Sequence, residues 1–226
     1  ARQGWSVLLL DRAGRIKPCG GAIPPRAIKD FQIPESQLVA RATCARMVSP
    51  TDRRVDIPIE NGFVGLVDRD TFDEWLRQRA VSAGAQRQQG RFERLERDDD
   101  GRRVVVFASR AEGARALDSE TQHRVRARCV IGADGAKSEV AQQNVPGADR
   151  GKFVFAYHEI LEAPAQNSDD YNPNRCDVYY RGTLSPDFYG WVFPHGKTMS
   201  VGTGSADKGF SLRAAVARLR DAAGLQ

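Results

Sequence analysis

The pattern of apolar and polar positions predicts a chain that mixes strands with a few helices. An apolar run from Val7 to Leu10 ends at Asp11 and predicts a buried strand. Between Asp70, which can cap a helix, and Gly84, which can end one, apolar side chains recur at helical spacing. A final helix is predicted over residues 212–223.

The middle of the chain predicts a β-meander. Residues 91–96 and 102–108 flank the acidic run Asp98 to Gly101, whose Asp-Gly end is a strong hairpin signal. A third strand is predicted over residues 122–128. The acidic run lacks the spaced ligands of a calcium loop, so we interpret it as a solvated turn.

A glycine-containing turn follows the meander. Cys129 to Gly132 is an apolar stretch that predicts another buried strand, and residues 133–138 predict a turn. A helix can begin over Glu139 to Gln143. This order of strand, turn and helix is typical of a site that presents backbone N–H groups to an anion.

Beyond residue 151 the chain becomes rich in aromatic and β-branched residues, which predicts an antiparallel sheet and a second domain. Two strands and a short helix are also predicted earlier in the chain, over residues 44–48, 54–59 and 25–31. The later strands are predicted over residues 153–160, 176–180, 189–194 and 198–202.

Composition and charge narrow the classes of function. The 226 residues include 34 Lys and Arg against 29 Asp and Glu, and most arginines stand close to acidic residues. This mixed surface lacks a basic stripe interleaved with aromatic residues, so we predict no nucleic-acid binding. The longest early apolar run is far shorter than the ~18 residues of a transmembrane helix. The four cysteines lack metal-ligand spacing, so we expect reduced thiols, a cytosolic compartment and no metal site.

The order of these pieces resembles that of the flavoprotein hydroxylase superfamily. An early strand ending at Asp11, a Cys-Gly-Gly loop, a helix opened by Val67-Asp68-Arg69, a meander and the stretch from Val130 to Gly135 follow one another. Two motifs narrow the match, Pro18-Cys19-Gly20-Gly21 and Pro186-Asp187-Phe188-Tyr189-Gly190-Trp191-Val192-Phe193-Pro194. They resemble those of the geranylgeranyl reductases, and the second is similar to the family's Tyr-x-Trp-x-Phe-Pro signature. The stretch through His195-Gly196-Lys197, with Cys19 to Pro25 upstream, is similar to the bacteriochlorophyll and chlorophyll branch of these reductases.

The resemblance implies an α/β (α+β) fold with two domains: an incomplete Rossmann-like FAD-binding domain with a β-meander, and an antiparallel-sheet substrate domain. The family's N-terminal strand with its Gly-rich loop, and a later Gly-Asp motif, are not found in the sequence. We therefore expect an internal piece of a longer enzyme, inactive by itself. The FAD-binding domain is predicted over residues 1–35 and 62–150, and the substrate-binding domain over residues 36–61 and 151–226.

The resemblance also implies a reaction. Hydride from NADPH would pass through FAD to the double bonds of a geranylgeranyl chain, which becomes phytyl in chlorophyll or bacteriochlorophyll biosynthesis. The polyprenyl substrate would be geranylgeranyl diphosphate or geranylgeranyl-bacteriochlorophyll. We expect a cytoplasmic protein with peripheral contact at the photosynthetic membrane, because such a substrate is apolar.

Several residues are expected to hold the cofactor. Plainer interpretations remain open for them: an ordinary strand end, a surface ion pair of Arg69 with Asp68 or Asp73, and a turn without a ligand. The expected FAD contacts are Asp11 at the ribose, Arg69 through charge-assisted hydrogen bonds, and Asp134 with Gly135 beside the pyrophosphate.

The Cys-Gly-Gly loop is expected beside the isoalloxazine ring of FAD. The thiol of Cys19 could tune the ring or relay protons, which makes it a candidate catalytic group. The commoner explanation is that Cys19, Gly20 and Gly21 are small and give the ring room.

The aromatic motif is expected to bind the substrate. Tyr189, Trp191 and Phe193 alternate along a predicted strand and so point to one face, which with Pro194 suits a wall for a polyprenyl chain. Alternating aromatic residues also serve ordinary core packing. His195 is a candidate proton donor, but a histidine in a turn is more often solvated.

Two rival functions follow from the same residues. An FAD-dependent aromatic monooxygenase would share the fold and the Gly-Ala-Asp-Gly turn, although the aromatic motif argues against it. The chain could also be a non-catalytic part of such a flavoenzyme.

Overall fold

The structure is a computed structural model that describes residues 1–12, 19–110 and 120–225. Pro18, the first residue of the Pro-Cys-Gly-Gly motif, lies outside these residues. The described residues form fourteen strands, four α-helices and two 3-10 helices. The strands are β1 (Val7–Asp11), β2 (Ala22–Ile23), β3 (Ala40–Ala42), β4 (Cys44–Val48), β5 (Arg54–Pro58), β6 (Val64–Leu66), β7 (Ala85–Gln89), β8 (Arg91–Arg97), β9 (Arg103–Ser109), β10 (Thr121–Ala127), β11 (Phe155–Glu162), β12 (Arg175–Tyr179), β13 (Gly190–His195) and β14 (Thr198–Ser205). The helices are α1 (Pro25–Asp30), α2 (Arg69–Ser82), α3 (Glu139–Asn144) and α4 (Leu212–Ala222), with 3-10 helices over Glu35–Gln37 and Ala148–Arg150.

The chain divides into two compact units. The first contains the described residues within 1–15 and 75–153, and the second those within 16–74 and 154–226. Residues 19–35 and 62–74, which the sequence assigns to the FAD-binding domain, belong to the second unit. None of the helices in the described part of the chain has the length and apolar character needed to cross a bilayer.

The first unit contains the meander that the sequence predicts. Strands β8, β9 and β10 pair in the order β10-β9-β8, with the acidic run as the β8–β9 turn. Asp98 Oδ1 accepts the backbone N–H groups of Asp100 and Arg102, and Gly101 adopts a φ of 73°. The turn therefore uses its carboxylate to close the hairpin, and the prediction of a hairpin turn is confirmed.

A strand that the sequence analysis missed lies parallel to β1. Strand β7 pairs with β1 from Val7 opposite Ala85 to Asp11 opposite Gln89. Its sequence, Ala-Gln-Arg-Gln-Gln, has no apolar alternation that would predict a strand. The backbone ladder to β1 stabilises it instead, so the predicted strand β1 has its partner in a segment of polar side chains.

The predicted strand over Cys129 to Gly132 is wrong. These residues have no regular structure, and the side chain of Ile131 is 85% exposed. No described strand pairs with them, so their backbone groups lack the ladder that a strand requires. The predicted helix start is confirmed, because Ser138 Oγ accepts the Ala141 N–H at the beginning of α3.

The second unit is built on a six-stranded sheet in the order β11-β14-β13-β12-β4-β5. Its pairs are antiparallel, as predicted, except for β4 and β12, which run parallel. One face packs against α4, where Val192, Val201, Val216 and Leu219 form a buried core. This helix starts at Leu212, as predicted, and Ser211 caps it by accepting the N–H of Ala214.

The opposite face of the six-stranded sheet meets a small three-stranded sheet in the order β2-β6-β3. Ala42 and Leu66 of the small sheet pack with Cys176 of β12, and Phe193 of β13 lies against this cluster. The small sheet also carries the Cys-Gly-Gly loop, which leads directly into β2. It therefore positions the loop against the face that bears the aromatic motif.

Candidate functional site

The aromatic motif forms a continuous row of rings. Strand β13 begins at Gly190, so Tyr189 stands just before it, while Trp191 and Phe193 follow at every second residue. The ring centroids of Tyr189 and Trp191 lie 6.3 Å apart, and those of Trp191 and Phe193 also lie 6.3 Å apart. The prediction that the three side chains share one face is confirmed. We call Tyr189, Trp191 and Phe193 the aromatic row.

A glycine seats the indole of Trp191. Gly202 of β14 lies opposite both Trp191 and His158, which belong to the strands on either side. A Cβ on Gly202 would overlap the Trp191 ring and stand 2.7 Å from the Cβ of His158. The indole therefore lies flat over β14, in space that exists because residue 202 has no side chain.

A hydrogen-bond chain fixes the edge of the same indole. Trp191 Nε1 donates to Ser200 Oγ at 3.1 Å, and Ser200 Oγ lies 3.0 Å from His158 Nδ1. Burial and the charge of His195 lower the pKa of His158. The tautomer of the imidazole sets which of the two groups donates in the Ser200–His158 hydrogen bond. Sequence reasoning missed Ser200, Gly202 and His158, since only the cross-strand register reveals that they share a face with the aromatic row.

The Cys-Gly-Gly loop presses against the aromatic row. A Cβ on Gly20 would stand 2.9 Å from Phe193 Cδ2 and 3.2 Å from Trp191 Nε1. Gly21 has a φ of 70°, and a Cβ there would overlap the Val67 carbonyl oxygen and stand 2.8 Å from His195 Cε1. Both positions therefore require glycine, one for close approach and one also for its left-handed backbone.

Arg69 and Cys19 are neighbours at this loop. The guanidinium of Arg69 holds Asp73 through two hydrogen bonds of 2.7 and 2.8 Å, which confirms the ion-pair interpretation in its Asp73 form. These bonds, with a smaller contribution from the Cys19 thiol, raise the pKa of Arg69. Cys19 itself is exposed. Arg69 is thus committed to a neighbour on its own helix while still contacting the thiol.

His195 differs most from expectation. The sequence favoured a solvated turn, but the side chain is only 4% exposed. Its Nδ1 lies 3.1 Å from Asp68 Oδ1, and its Nε2 lies 3.1 Å from the Gly20 carbonyl oxygen. The reason is its position as the last residue of β13, where it still faces the loop. Pro194, on the opposite face of this strand, is buried.

The remaining predicted cofactor residues lie in the first unit. Asp11 ends β1 and pairs with Arg77 Nε at 3.2 Å. Asp134 accepts hydrogen bonds from the Ser138 hydroxyl and, at 3.3 Å, from the Val140 N–H, at the start of α3. Burial alone would raise the pKa of Asp134, but these hydrogen bonds outweigh it and lower the pKa.

The turn next to Asp134 is exposed. Gly135 adopts a φ of 96°, which suits glycine and leaves no side chain at the turn. An ionised carboxylate that organises a glycine turn, and an acidic residue at the carboxyl end of a parallel strand, are both features that fit a dinucleotide. The predicted site residues thus form two groups, one in each unit.

Comparison with known proteins places this arrangement in context. The family of FAD binding domains matches residues 35–175 of the chain. The chain is 57% identical over 225 residues to geranylgeranyl diphosphate reductase of Rhodobacter capsulatus, an alignment that covers 100% of this chain and 55% of that protein. It is 32% identical over 211 residues to the chloroplastic geranylgeranyl diphosphate reductase of Oryza sativa subsp. japonica, covering 91% and 45%.

A solved structure shares the fold. The geranylgeranyl bacteriochlorophyll reductase-like protein from Thermoplasma acidophilum superposes with a TM-score of 0.79 at 22% identity, covering 98% of this chain and 56% of that one. The chain spans about half the length of the curated relatives it matches.

Proposed function

We propose that this chain, which belongs to the family of FAD binding domains, is part of a protein that reduces the double bonds of a geranylgeranyl chain. The identity of 57% to the Rhodobacter capsulatus reductase extends over the whole chain and carries the proposal. The packing of the aromatic row against the two-glycine loop supports the proposal. The row offers an apolar wall for the prenyl chain, and the loop beside it lets the backbone approach a flat ring such as that of a flavin.

The aromatic row is proposed to bind the prenyl chain. Such a chain has no polar atoms along its length, so its binding depends on apolar contact. Phe193 is partly exposed, whereas Trp191 is 5% exposed and fixed by Ser200 and Gly202. Trp191 therefore acts as the rigid support, and Tyr189 and Phe193 on either side supply the accessible surface.

The Cys-Gly-Gly loop is proposed to lie beside the flavin. When bound, FAD supplies the hydride that adds to one carbon of the double bond, while a proton adds to the neighbouring carbon. Gly20 and Gly21 allow the close approach of backbone that a flat ring needs. Cys19 is the exposed ionisable side chain of this loop, and we assign to it the transfer of the proton.

In the first unit, we propose that Asp11 binds the ribose and that Asp134 with Gly135 holds the pyrophosphate-binding turn of FAD. The hydrogen bonds that lower the pKa of Asp134 keep its carboxylate ionised, so it can hold the backbone N–H groups of the turn in place. Arg69, in the second unit, is proposed to add a charge-assisted hydrogen bond to the cofactor.

NADPH is proposed as the reductant of the flavin, and the protein is proposed to work in the cytoplasm in peripheral contact with the photosynthetic membrane. An apolar substrate held in a bilayer favours such contact. This part of the proposal fails if the full-length protein acts on pigment in the complete absence of lipid and detergent.

The test is an anaerobic incubation of the full-length protein with FAD, NADPH and either geranylgeranyl diphosphate or geranylgeranyl-bacteriochlorophyll, followed by mass spectrometry of the product. Mass gains in steps of two hydrogens support reduction, and the substrate that reacts identifies the form of the prenyl chain. Gain of one oxygen in air, with no anaerobic product, would indicate the rival monooxygenase.

A further inference from the structure

Both ring nitrogens of His195 are held by the protein. Nδ1 lies 3.1 Å from Asp68 Oδ1, at the start of α2, and Nε2 lies 3.1 Å from the carbonyl oxygen of Gly20. The side chain is 4% exposed, so it has almost no surface left for a substrate. In these surroundings, the histidine fixes the positions of the residues to which it is hydrogen-bonded.

The two partners of His195 are both acceptors. A backbone carbonyl oxygen only accepts hydrogen bonds, and the ionised carboxylate of Asp68 likewise only accepts them. A neutral imidazole carries one N–H, so it can donate to Gly20 or to Asp68 and must turn a lone pair towards the other. Both hydrogen bonds therefore form together only when the ring carries two protons.

The Gly20 carbonyl is one point at which the loop is attached. Gly21 is another, because its carbonyl oxygen accepts the N–H of Val67 at 3.0 Å. Val67 immediately precedes Asp68, so the same short segment holds the loop through its backbone and holds His195 through its carboxylate. Gly21 also packs on the imidazole, since a Cβ there would stand 2.8 Å from His195 Cε1.

We propose that His195 is a positioning residue that holds the Cys19–Gly20–Gly21 loop against the aromatic row, and that loss of its second proton loosens the loop. The attachment of the loop through His195 involves only residues of this chain and needs neither cofactor nor substrate. Its effect on the reaction rests on the proposed function, in which this loop faces the flavin.

Other charged groups near His195 leave this attachment intact. His158 lies on the same sheet face, and the positive charge of His195 contributes to its lowered pKa. Thr198 of β14 pairs with both His195 of β13 and Glu162 of β11, so the exposed Glu162 lies two strands from His195. Arg69, next to Asp68, is engaged with Asp73. Asp68 is thus the carboxylate in direct contact with the imidazole.

The test is hydrogen exchange, followed by mass spectrometry, on the full-length protein without substrate. Exchange is measured in residues 19–22 and at Val67 over the range from about pH 5 to pH 8, and is corrected for the intrinsic pH dependence of exchange. In His195→Gln, we expect exchange to accelerate about tenfold at the lower pH, which corresponds to the loss of one hydrogen bond to a charged group. In the wild type, exchange should accelerate as the pH rises.

Asp68→Asn separates positioning from general loss of structure. The side-chain amide that this substitution introduces can donate to Nδ1 of a neutral His195, whose Nε2–H still donates to Gly20. We therefore expect this variant to keep the loop protected at the higher pH. His123→Gln is the control, since His123 bonds to Ser109 in the first unit, and it should behave as the wild type.

The proposal is overturned if His195→Gln leaves exchange of the loop unchanged, or if Asp68→Asn shows the same pH dependence as the wild type. If His195→Gln fails to fold, the comparison of Asp68→Asn with the wild type still decides. Because exchange is measured without substrate, its outcome is independent of whether the protein proves to be a reductase.

Discussion

At the scale of single residues, the aromatic row depends on neighbours that have little or no side chain. Trp191 lies flat because Gly202 leaves room, and its edge is fixed because Ser200 accepts its N–H. None of this is visible in a motif of aromatic letters. The supporting residues come from the next strand, nine and eleven positions later, and are therefore expected to be as sensitive to substitution as the ring itself.

Gly202→Ala should destabilise the protein. The added Cβ would overlap the Trp191 ring and crowd the Cβ of His158, and overpacking of this kind costs about 1–3 kcal/mol. Gly182→Ala is the matched control, because a Cβ there meets nothing within 4 Å. The measurement is the free energy of unfolding in denaturant. Equal stability of the two variants would contradict the account of Trp191.

Ser200→Ala should cost about 1–3 kcal/mol of stability, because it leaves the buried N–H of Trp191 without an acceptor. In a Trp191→Phe background the same substitution should cost less, since the indole N–H is already absent. A double-mutant cycle on the free energy of unfolding measures the difference. A coupling energy of zero would show that the hydrogen bond contributes nothing.

His158 should make stability depend on pH. Its pKa in the folded protein is lowered, first by burial and then by the charge of His195, so the unfolded chain binds this proton more readily. The stability it confers is present above its unfolded pKa of about 6.5 and is lost as the pH falls through the lower, folded pKa. Denaturant unfolding should show this loss in the wild type and in His123→Gln, and a smaller loss in His158→Gln. An identical loss in all three would refute the assignment.

At the scale of elements, the stability that each helix contributes depends on how much of one face it buries. Helix α4 buries Ala215, Val216 and Leu219 against the six-stranded sheet, whereas α2 buries only Phe72. Both helices could be predicted from apolar spacing and from the glycines that end them. What the spacing cannot give is whether a partner covers the face, and Leu76 of α2 is 42% exposed.

Leu219→Ala should therefore be far more costly than Leu76→Ala. The first creates a cavity in the core and should lower the free energy of unfolding by about 2–5 kcal/mol. The second changes a surface position and should alter it by no more than about 0.5 kcal/mol. Thermal or denaturant unfolding of the two variants checks this, and similar losses would mean that α4 does not pack as described.

Strands are harder to predict than helices here, for a physical reason. Strand β7 is polar and exists because β1 offers it a ladder, while the apolar stretch from Cys129 to Gly132 is irregular because no described strand pairs with it. A strand is defined by its partner, and the sequence of one segment does not reveal that partner. The meander was predictable because its Asp-Gly turn joins strands that are adjacent in sequence.

At the scale of the whole molecule, the sequence motifs indicated which residues belong to the site, and the fold showed how they are held. The aromatic row and the Cys-Gly-Gly loop are far apart in sequence, yet the small sheet brings them into contact. The burial of His195 could not be foreseen, since both of its partners lie more than a hundred residues earlier. The proposed function joins these parts as an apolar wall and a loop for close approach.

Substitution in the aromatic row should weaken substrate binding. Phe193→Ala removes partly exposed apolar surface, and the loss of about 1.5–3 kcal/mol of apolar burial corresponds to a rise in KM of roughly ten- to a hundredfold. Phe31→Ala is the matched control, since Phe31 is 66% exposed and lies on no part of the row. A steady-state assay that separates KM from kcat checks this.

The most direct measurement is the mass of the product formed anaerobically from a geranylgeranyl substrate by the full-length wild type, Phe193→Ala and Phe31→Ala, each with FAD and NADPH. We predict gains in steps of two hydrogens with the wild type and Phe31→Ala, and strongly reduced gains with Phe193→Ala at limiting substrate. A substrate of unchanged mass with the wild type, or equal gains with all three proteins, would contradict prenyl reduction at the aromatic row.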